Sequence, residues 1–249
     1  MLSIFVLIFA GLVAGAVNAI AGGGTLLTFP ALVWVGVPPV MANATATLTA
    51  LPGYLGSSWA FRRDIAAEGS LSLGIIIALS AMGGLVGAIL LVMTPGEEFV
   101  GIVPWLLLLA TLTFAFGPRF VAMTRSGNMA HTGPALSAVA IGAVAAYGGY
   151  FNGGLGIMLL AVLGVIGFEN LHGMNGLKNL LSAILALVSV TTYITAGLIA
   201  WEHAAILALA TTAGGYLGAR QARRIRNTAI LRNAIVSIGA AMTAVFFFL

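Results

Sequence analysis

The sequence predicts an all-α protein: a polytopic bundle of transmembrane helices made of two inverted-topology repeats of about five segments each. Three observations predict this fold class. Of the 249 residues, 61% are hydrophobic and only 6% are charged. Apolar segments follow one another along the whole chain, and glycines of one half recur in the other at a constant spacing. A water-exposed surface needs about a quarter of its residues charged, so lipid must be the solvent of this chain.

The apolar segments number ten when they are divided at glycines, prolines and charged residues. They cover residues 2–21, 25–37, 41–61, 70–93 and 99–116 in the first half, and 134–147, 155–167, 172–196, 203–221 and 230–249 in the second. Segment 2–21 contains small residues like those at a signal-peptide cleavage site. It has no basic residues before its apolar run and it has a partner later in the chain, so we expect it to be a structural helix.

Two glycine-rich breaks interrupt the segments. The first is Gly22-Gly23-Gly24, and the second is Asn152-Gly153-Gly154-Leu155-Gly156. Consecutive glycines end helices, and the segment after each break is only 13 residues long, whereas a spanning helix needs about 20. The sequence therefore predicts broken or re-entrant helices at both breaks.

A shift of 131 residues superimposes the two halves of the chain. It brings six glycines of the first half (22, 23, 36, 83, 84 and 87) onto glycines of the second, where about one such match is expected by chance. We therefore predict a first repeat over residues 1–117, a cytoplasmic linker over 118–133 and a second repeat over 134–249. The four-residue spacings of Gly83 with Gly87 and of Gly214 with Gly218 favour helix packing.

The loops predict the orientation of the segments in the membrane. Arginines follow the third and fifth segments and surround the junction of the ninth and tenth, so these loops are expected in the cytoplasm. The loops at 95–98 and 201–203 contain no Lys or Arg and are expected outside. Counterpart loops of the two halves thus lie on opposite sides, which makes the repeats inverted and places both termini outside.

The breaks are candidate sites for an anion, because a half-helix that begins within the membrane presents free N–H groups and the positive end of its dipole. Such discontinuous helices between inverted repeats are typical of secondary transporters. The candidate residues at the breaks and on the third and eighth segments are Asn18, Gly22, Gly23, Gly24, Thr25, Asn43, Thr47, Asn152, Gly153, Gly154, Gly156, Asn175, Lys178 and Asn179.

Lys178 is the one basic residue well inside an apolar segment, and such a cation costs at least about 2.5 kcal/mol. It could oppose the charge of a substrate, or it could extend to the membrane interface from a helix end. Glu169 and His172, spaced three residues apart, could couple transport to protons, although an interfacial position is the simpler interpretation.

Other chemistry has little support in the sequence. There is no cysteine, no HExxH motif, no nucleophile beside a base and no phosphate-binding loop, so we expect neither an enzyme, a metal site nor a cofactor. The basic residues lie in short loops and are not interleaved with exposed aromatics, which argues against nucleic acid. The expected partners are a small anion and the lipid bilayer; the sequence is compatible with a homo-oligomer but does not predict its size.

The chain resembles the sulfite exporter TauE/SafE family over nearly its whole length. The resemblance rests on "NAIAGGGTLLTFPAL" and "GVPPVMANATATLTALPGYLGSSWAFRRDI" in the first half, and on "GGYFNGGLGIMLLAVLGVIGFENLHGMNGLKNLLSAI" and "GGYLGARQARRI" in the second. It implies a permease of the bacterial inner membrane that carries sulfite or organosulfonates, generally outward. The alternatives are an anion channel or uniporter, and a permease for small carboxylates.

Overall fold

The structure is a computed structural model that describes residues 2–20, 23–66, 68–125, 132–222 and 229–248. These residues form ten α-helices and no strand, which confirms the all-α prediction. The helices are α1 (Leu2–Ile20), α2 (Thr25–Trp34), α3 (Pro39–Ala60), α4 (Leu73–Met93), α5 (Gly96–Arg125), α6 (Pro134–Tyr150), α7 (Leu155–Val165), α8 (Leu171–Thr195), α9 (Trp201–Ala222) and α10 (Ala229–Phe247).

Among the described residues, three helices are long and apolar enough to cross a membrane: α4, most of α5, and α8. Large apolar side chains are exposed along many helices, as expected of a surface that faces lipid. Trp34 and Trp201 are exposed near the start of α3 and α9, and exposed Trp59 lies near the end of α3 under the Arg62 guanidinium, 4.3 Å from the ring centroid. Aromatic rings of this kind are typical of membrane–water interfaces.

Helices α1 and α2 form a hairpin that does not cross the molecule. Gly11 of α1 faces Leu207 and Gly218 of α9 faces Ala16, so α1 and α9 run in the same direction. The residues that follow α2 line a shallow cavity together with those that begin α9, residues 200–203. Helix α2 therefore returns to the end of the molecule where α1 begins, and the first break is the tip of a re-entrant hairpin.

Helices α6 and α7 form the corresponding hairpin in the second half. The Thr132 N–H, just before α6, donates to the Val165 carbonyl at the end of α7. The Ser70 N–H, just before α4, donates to the Ile166 carbonyl, which places this hairpin's open end beside the α3–α4 loop. The first hairpin opens at the start of α3 and the second near its end, so the two enter the bundle from opposite ends.

Each helix of the first half has a counterpart five helices later, so that α1 corresponds to α6 and α4 corresponds to α9. Contacts between helices recur between their counterparts. The contact of α1 with α9 recurs as α6 with α4, that of α5 with α7 as α10 with α2, and that of α3 with α9 as α8 with α4. Helices α3 and α8 pack on each other across the centre. This pattern agrees with an internal repeat, and both the repeat and the orientation of its halves in a membrane stay predictions.

The two half-helices end in the same way. Gly36 after α2 and Gly167 after α7 have φ angles of 92° and 105°, and the next residue of each donates back to the carbonyl of Leu32 or Leu163. This is the glycine C-cap in which a left-handed residue lets the chain turn back over the last helical turn. The 131-residue shift superimposes Gly36 and Gly167. Glycine recurs at these two positions because both require the same left-handed backbone conformation.

The glycines of α4 and α9 allow close helix packing. A Cβ atom at Gly87 would collide with the Ala146 carbonyl of α6, and one at Gly214 would collide with the Leu12 carbonyl of α1. The packing role predicted for these glycines is confirmed. Because the two pairs occupy corresponding positions, they fix α6 and α1, the outer arms of the hairpins, against α4 and α9.

Candidate functional site

The two hairpin tips meet at the centre of the bundle, against one face of α5. Gly23 of the first tip lies against the Phe114 ring, and Gly154 of the second lies against Ala110, one helical turn away on α5. Phe29 of α2 and Phe151 of the second tip make an edge-to-face contact, with ring centroids 5.6 Å apart. Both half-helices therefore begin in the same region, from opposite directions.

Each tip contains a left-handed glycine within two residues of the start of its half-helix. Gly23 has a φ of 107° and Gly154 a φ of 77°, both in the region that residues with a Cβ adopt at a cost. The shift of 131 residues superimposes these two positions. The backbone conformation thus explains why glycine recurs in both breaks.

The first tip is capped by a side chain. The Asn18 Oδ1 of α1 accepts hydrogen bonds from the N–H groups of Gly23 and Gly24, at 2.9 and 2.8 Å. Asn18 therefore lies where the sequence placed it, beside the break, and its oxygen already occupies two of the donors expected to face an anion. The predicted site residue Gly22 lies outside the described residues.

The second tip is held by two tyrosines. Tyr147 of α6 donates to the Gly153 carbonyl at 2.7 Å, and Tyr54 of α3 donates to the Asn152 Oδ1 at 2.8 Å. Asn152 is buried, and so is Gly156 in the first turn of α7. The Gly153 carbonyl and the Asn152 Oδ1 therefore each accept a hydrogen bond from a tyrosine. The other amide atom of Asn152, Nδ2, has no hydrogen-bond partner.

Tyr54 lies between the two tips, and the sequence did not indicate it. Its hydroxyl donates to Asn152 at the second tip and lies close to the side chain of Thr25, the first residue of α2, without a hydrogen bond to it. The available signal was its position on α3, 11 residues after Asn43 and hence on the same helical face. That spacing could not show that the ring reaches across to another helix.

Four buried side chains near the tips keep a polar atom that has no hydrogen-bond partner in the structure. These atoms are Thr25 Oγ1, Thr28 Oγ1, Asn43 Oδ1 and Asn152 Nδ2. The other amide atom of Asn43, Nδ2, donates to the Tyr150 carbonyl at 2.8 Å, two residues before Asn152. Thr47, also buried, instead donates to the Asn43 carbonyl of its own helix. A buried polar atom without a partner costs about 1–3 kcal/mol and is suited to a ligand.

Lys178 lies on a polar stripe of α8, together with Asn175, Asn179 and Ser182. Its side chain is only 6% exposed, and its Nζ lies 3.4 Å from the Asn175 Oδ1. Further along α8, Ala183 packs with Tyr54, about 7.5 Å from Lys178 at the rise of a helix. Burial excludes a lysine that extends freely from the end of α8, and the stripe runs from the α3–α4 loop towards the tips.

Glu169 and His172 lie apart from the tips, at the start of α8. Both side chains are exposed. The backbone N–H groups of Glu169 and Asn170 are bound by the carboxylate of Glu68, from the α3–α4 loop. This position favours the interfacial interpretation of the Glu169 and His172 pair. In the described part of the chain, no group of three or more His, Cys, Asp or Glu side chains could hold a metal ion.

The arrangement is suited to a small anion. The positive dipole ends of α2 and α7 converge on one region, and the unpartnered Thr25 hydroxyl and Asn152 amide can donate hydrogen bonds there. The one buried lysine of the described residues lies about one and a half helical turns from the Tyr54 contact on α8.

Comparison with known proteins gives a consistent result. A family model described as "Sulfite exporter TauE/SafE" matches residues 7–246. A "Probable membrane transporter protein" from Haemophilus influenzae is 29% identical, with 96% of this chain and 92% of that protein covered. The "Probable membrane transporter protein YfcA" of Escherichia coli K12 is 30% identical over 96% and 87% of the two chains. No solved structure matches.

Proposed function

Because this chain belongs to the sulfite exporter TauE/SafE family, we propose that it exports small sulfur-containing anions, such as sulfite or organosulfonates, as a secondary transporter. The relatives named as membrane transporters and the apolar helices establish the coarser level, a multi-pass membrane protein of a transporter family. The substrate, the direction and the mechanism are our proposal.

One observation carries the proposal: two half-helices begin at tips that meet inside the bundle, beside buried donors without partners. Gly23 and Gly154 contact the same face of α5 one turn apart, and the Tyr54 hydroxyl, which donates to Asn152, lies close to Thr25. An oxyanion head group bound there receives hydrogen bonds from Thr25 and Asn152 and the favourable dipole of both half-helices. The N–H groups at Gly153, Gly154 and Gly156 complete this anion site at the second tip.

The polar stripe of α8 serves as the cytoplasmic approach to the tips. Asn175, Lys178 and Asn179 lie between the α3–α4 loop and Tyr54, and Lys178 attracts the anion into this path. Rocking of one half of the molecule against the other then exposes the tips alternately to each side. A membrane potential that is negative inside favours anion exit by about 2.3 kcal/mol per charge per 100 mV.

We further propose that the protein resides in the bacterial inner membrane, with both termini outside the cytoplasm. The arginine-rich loops support this orientation, and so does the Arg62–Trp59 contact at the end of α3, a pairing of residue types that is typical of a membrane interface.

The proposal is tested by uptake into proteoliposomes of sulfite, sulfoacetate, taurine and matched carboxylates. We expect saturable uptake of the sulfur anions that is accelerated by substrate on the opposite side, as a carrier requires. Uptake of carboxylates alone would contradict the substrate class. Single-channel currents in a planar bilayer would contradict alternating access and support the channel alternative.

A further inference from the structure

The partnerless atoms at the tips are of two chemical kinds. The Asn152 Nδ2 can only donate a hydrogen bond, and the hydroxyls of Thr25 and Thr28 can donate one. The Asn43 Oδ1 can only accept one. A ligand whose surface carries only anionic oxygens satisfies the donors but is repelled by the Asn43 oxygen.

The assignment of the two Asn43 amide atoms follows from its partner. The atom that contacts the Tyr150 carbonyl at 2.8 Å must be the nitrogen, because a carbonyl can only accept. The oxygen is therefore the atom left without a partner, and Asn43 is fully buried. Its burial deprives this oxygen of solvent as a donor, so it has a free-energy cost until a ligand supplies one.

The side chains with the lone acceptor and with the Asn152 donor are connected through neighbouring residues. Asn43 contacts Tyr150, the last residue of α6, and Tyr54 contacts Asn152, two residues further along the chain. Cα atoms two residues apart are separated by at most about 7 Å. Thr25 lies close to the Tyr54 hydroxyl, and Phe29, next to Thr28, contacts Phe151.

We infer that this site selects anions that also carry a hydrogen-bond donor, such as a hydroxyl or a protonated oxygen, which the Asn43 oxygen accepts. The inference rests on the proposed function and narrows its substrate class. The anionic oxygens face Thr25 and Asn152, while the donor faces Asn43. Sites that are built to bind a substrate hydroxyl reject the analogue without it, because a buried polar atom is then left unpaired.

The test compares isethionate with ethanesulfonate, which have the same charge and differ by one hydroxyl. Binding to the purified protein is measured by calorimetry, and competition is measured in proteoliposome uptake. We expect isethionate to bind at least about tenfold more tightly. Sulfite should also bind more tightly at the pH where its singly protonated form predominates than at higher pH, with the ethanesulfonate affinity as the reference.

Two variants locate the selectivity within the site. Asn43→Leu removes the acceptor at similar volume, so the isethionate-to-ethanesulfonate ratio should fall towards one. Thr25→Val removes a donor to the anionic group at similar volume, so both ligands should bind more weakly while their ratio is kept. If Asn43→Leu does not fold, the isethionate-to-ethanesulfonate affinity ratio of the unaltered protein still tests the inference.

The outcomes separate the inference from the proposed function. Equal binding of the two sulfonates, or an unchanged ratio in Asn43→Leu, overturns the inference and leaves the proposed function standing. If neither sulfonate binds while lactate or propionate does, the sulfonate function is wrong. The ratio of the lactate affinity to the propionate affinity then tests the requirement for a hydrogen-bond donor. A ratio near one would overturn that requirement.

Discussion

The hydroxyl of Tyr54 on α3 donates a 2.8 Å hydrogen bond to the Asn152 side chain at the tip of the α6–α7 hairpin, 98 residues later in the chain. The same hydroxyl lies close to the Thr25 side chain at the tip of the α1–α2 hairpin, without a hydrogen bond to it. One side chain of the central α3–α8 pair thus lies beside both half-helices. A movement of the second hairpin relative to α3 must break or remake its hydrogen bond with Asn152.

The first prediction concerns this hydroxyl. Tyr54→Phe keeps the ring, which packs with Ala50, Ala183 and Ala186, but leaves the Asn152 Oδ1 without a donor. We expect the free energy of unfolding to fall by about 1–3 kcal/mol and anion flux to fall several-fold. Flux in proteoliposomes and thermal unfolding in detergent measure the two effects.

Tyr216→Phe is the matched control, because Tyr216 is 69% exposed on α9. It should leave both flux and thermal unfolding unchanged. A Tyr54→Phe protein with the flux of the unaltered protein would show that the hydroxyl has no part in transport.

The second prediction concerns Lys178. Its buried cation has a neutral neighbour, Asn175, so removing the charge should not lower stability, whereas it removes the attraction for the anion on the α8 stripe. We expect Lys178→Met to raise the KM for the anion at least about tenfold with an unchanged unfolding temperature. Arg63→Met, which removes an exposed cation, is the control and should leave the KM close to normal. An unchanged KM in Lys178→Met would reduce Lys178 to a packing residue.

The third prediction concerns the left-handed glycine of the second tip. Gly154→Ala places a Cβ atom at a φ of 77° and 3.1 Å from the Ala110 Cα. We expect a loss of about 1–2 kcal/mol in stability and a strong loss of anion binding, because the tip must shift from α5. Gly142→Ala on α6, where a Cβ meets nothing within 4 Å, is the control for a Gly-to-Ala change. Equal effects of the two substitutions would refute a special role for the tip.

The fourth prediction concerns orientation. The chain contains no cysteine, so each single-cysteine variant carries one label. Glu97 and Glu202 are exposed in the first turns of α5 and α9. The variants Glu97→Cys and Glu202→Cys should react with a membrane-impermeant maleimide in intact spheroplasts. Arg63→Cys should react only after the membrane is opened. The reverse pattern would invert the proposed topology.

Some features of this protein followed from the sequence because they have local causes. The low charge content determined that the helices face lipid, since no arrangement of so few charges covers a soluble surface. Nine of the ten helices begin and end within three residues of a predicted apolar segment, because hydrophobic length and glycine breaks are local properties. Helix α5 instead continues to Arg125, past the predicted end at residue 116 and into the predicted linker over 118–133. Recurring glycines predicted the repeat, and Gly23 with Gly154 and Gly36 with Gly167 share backbone conformations that glycine adopts best.

Only the tertiary structure decided what meets at the centre. The sequence left open whether the broken pairs span or re-enter, and the Thr132–Val165 hydrogen bond shows the second pair to be a hairpin. It selected Asn18 as a ligand, whereas the fold uses its oxygen to cap Gly23 and Gly24. It missed Tyr54, because the partner of a side chain that reaches across to another helix depends on how distant segments pack. Helix-forming tendency can be read along the chain, but the pairing of a donor with an acceptor 98 residues away exists only after folding.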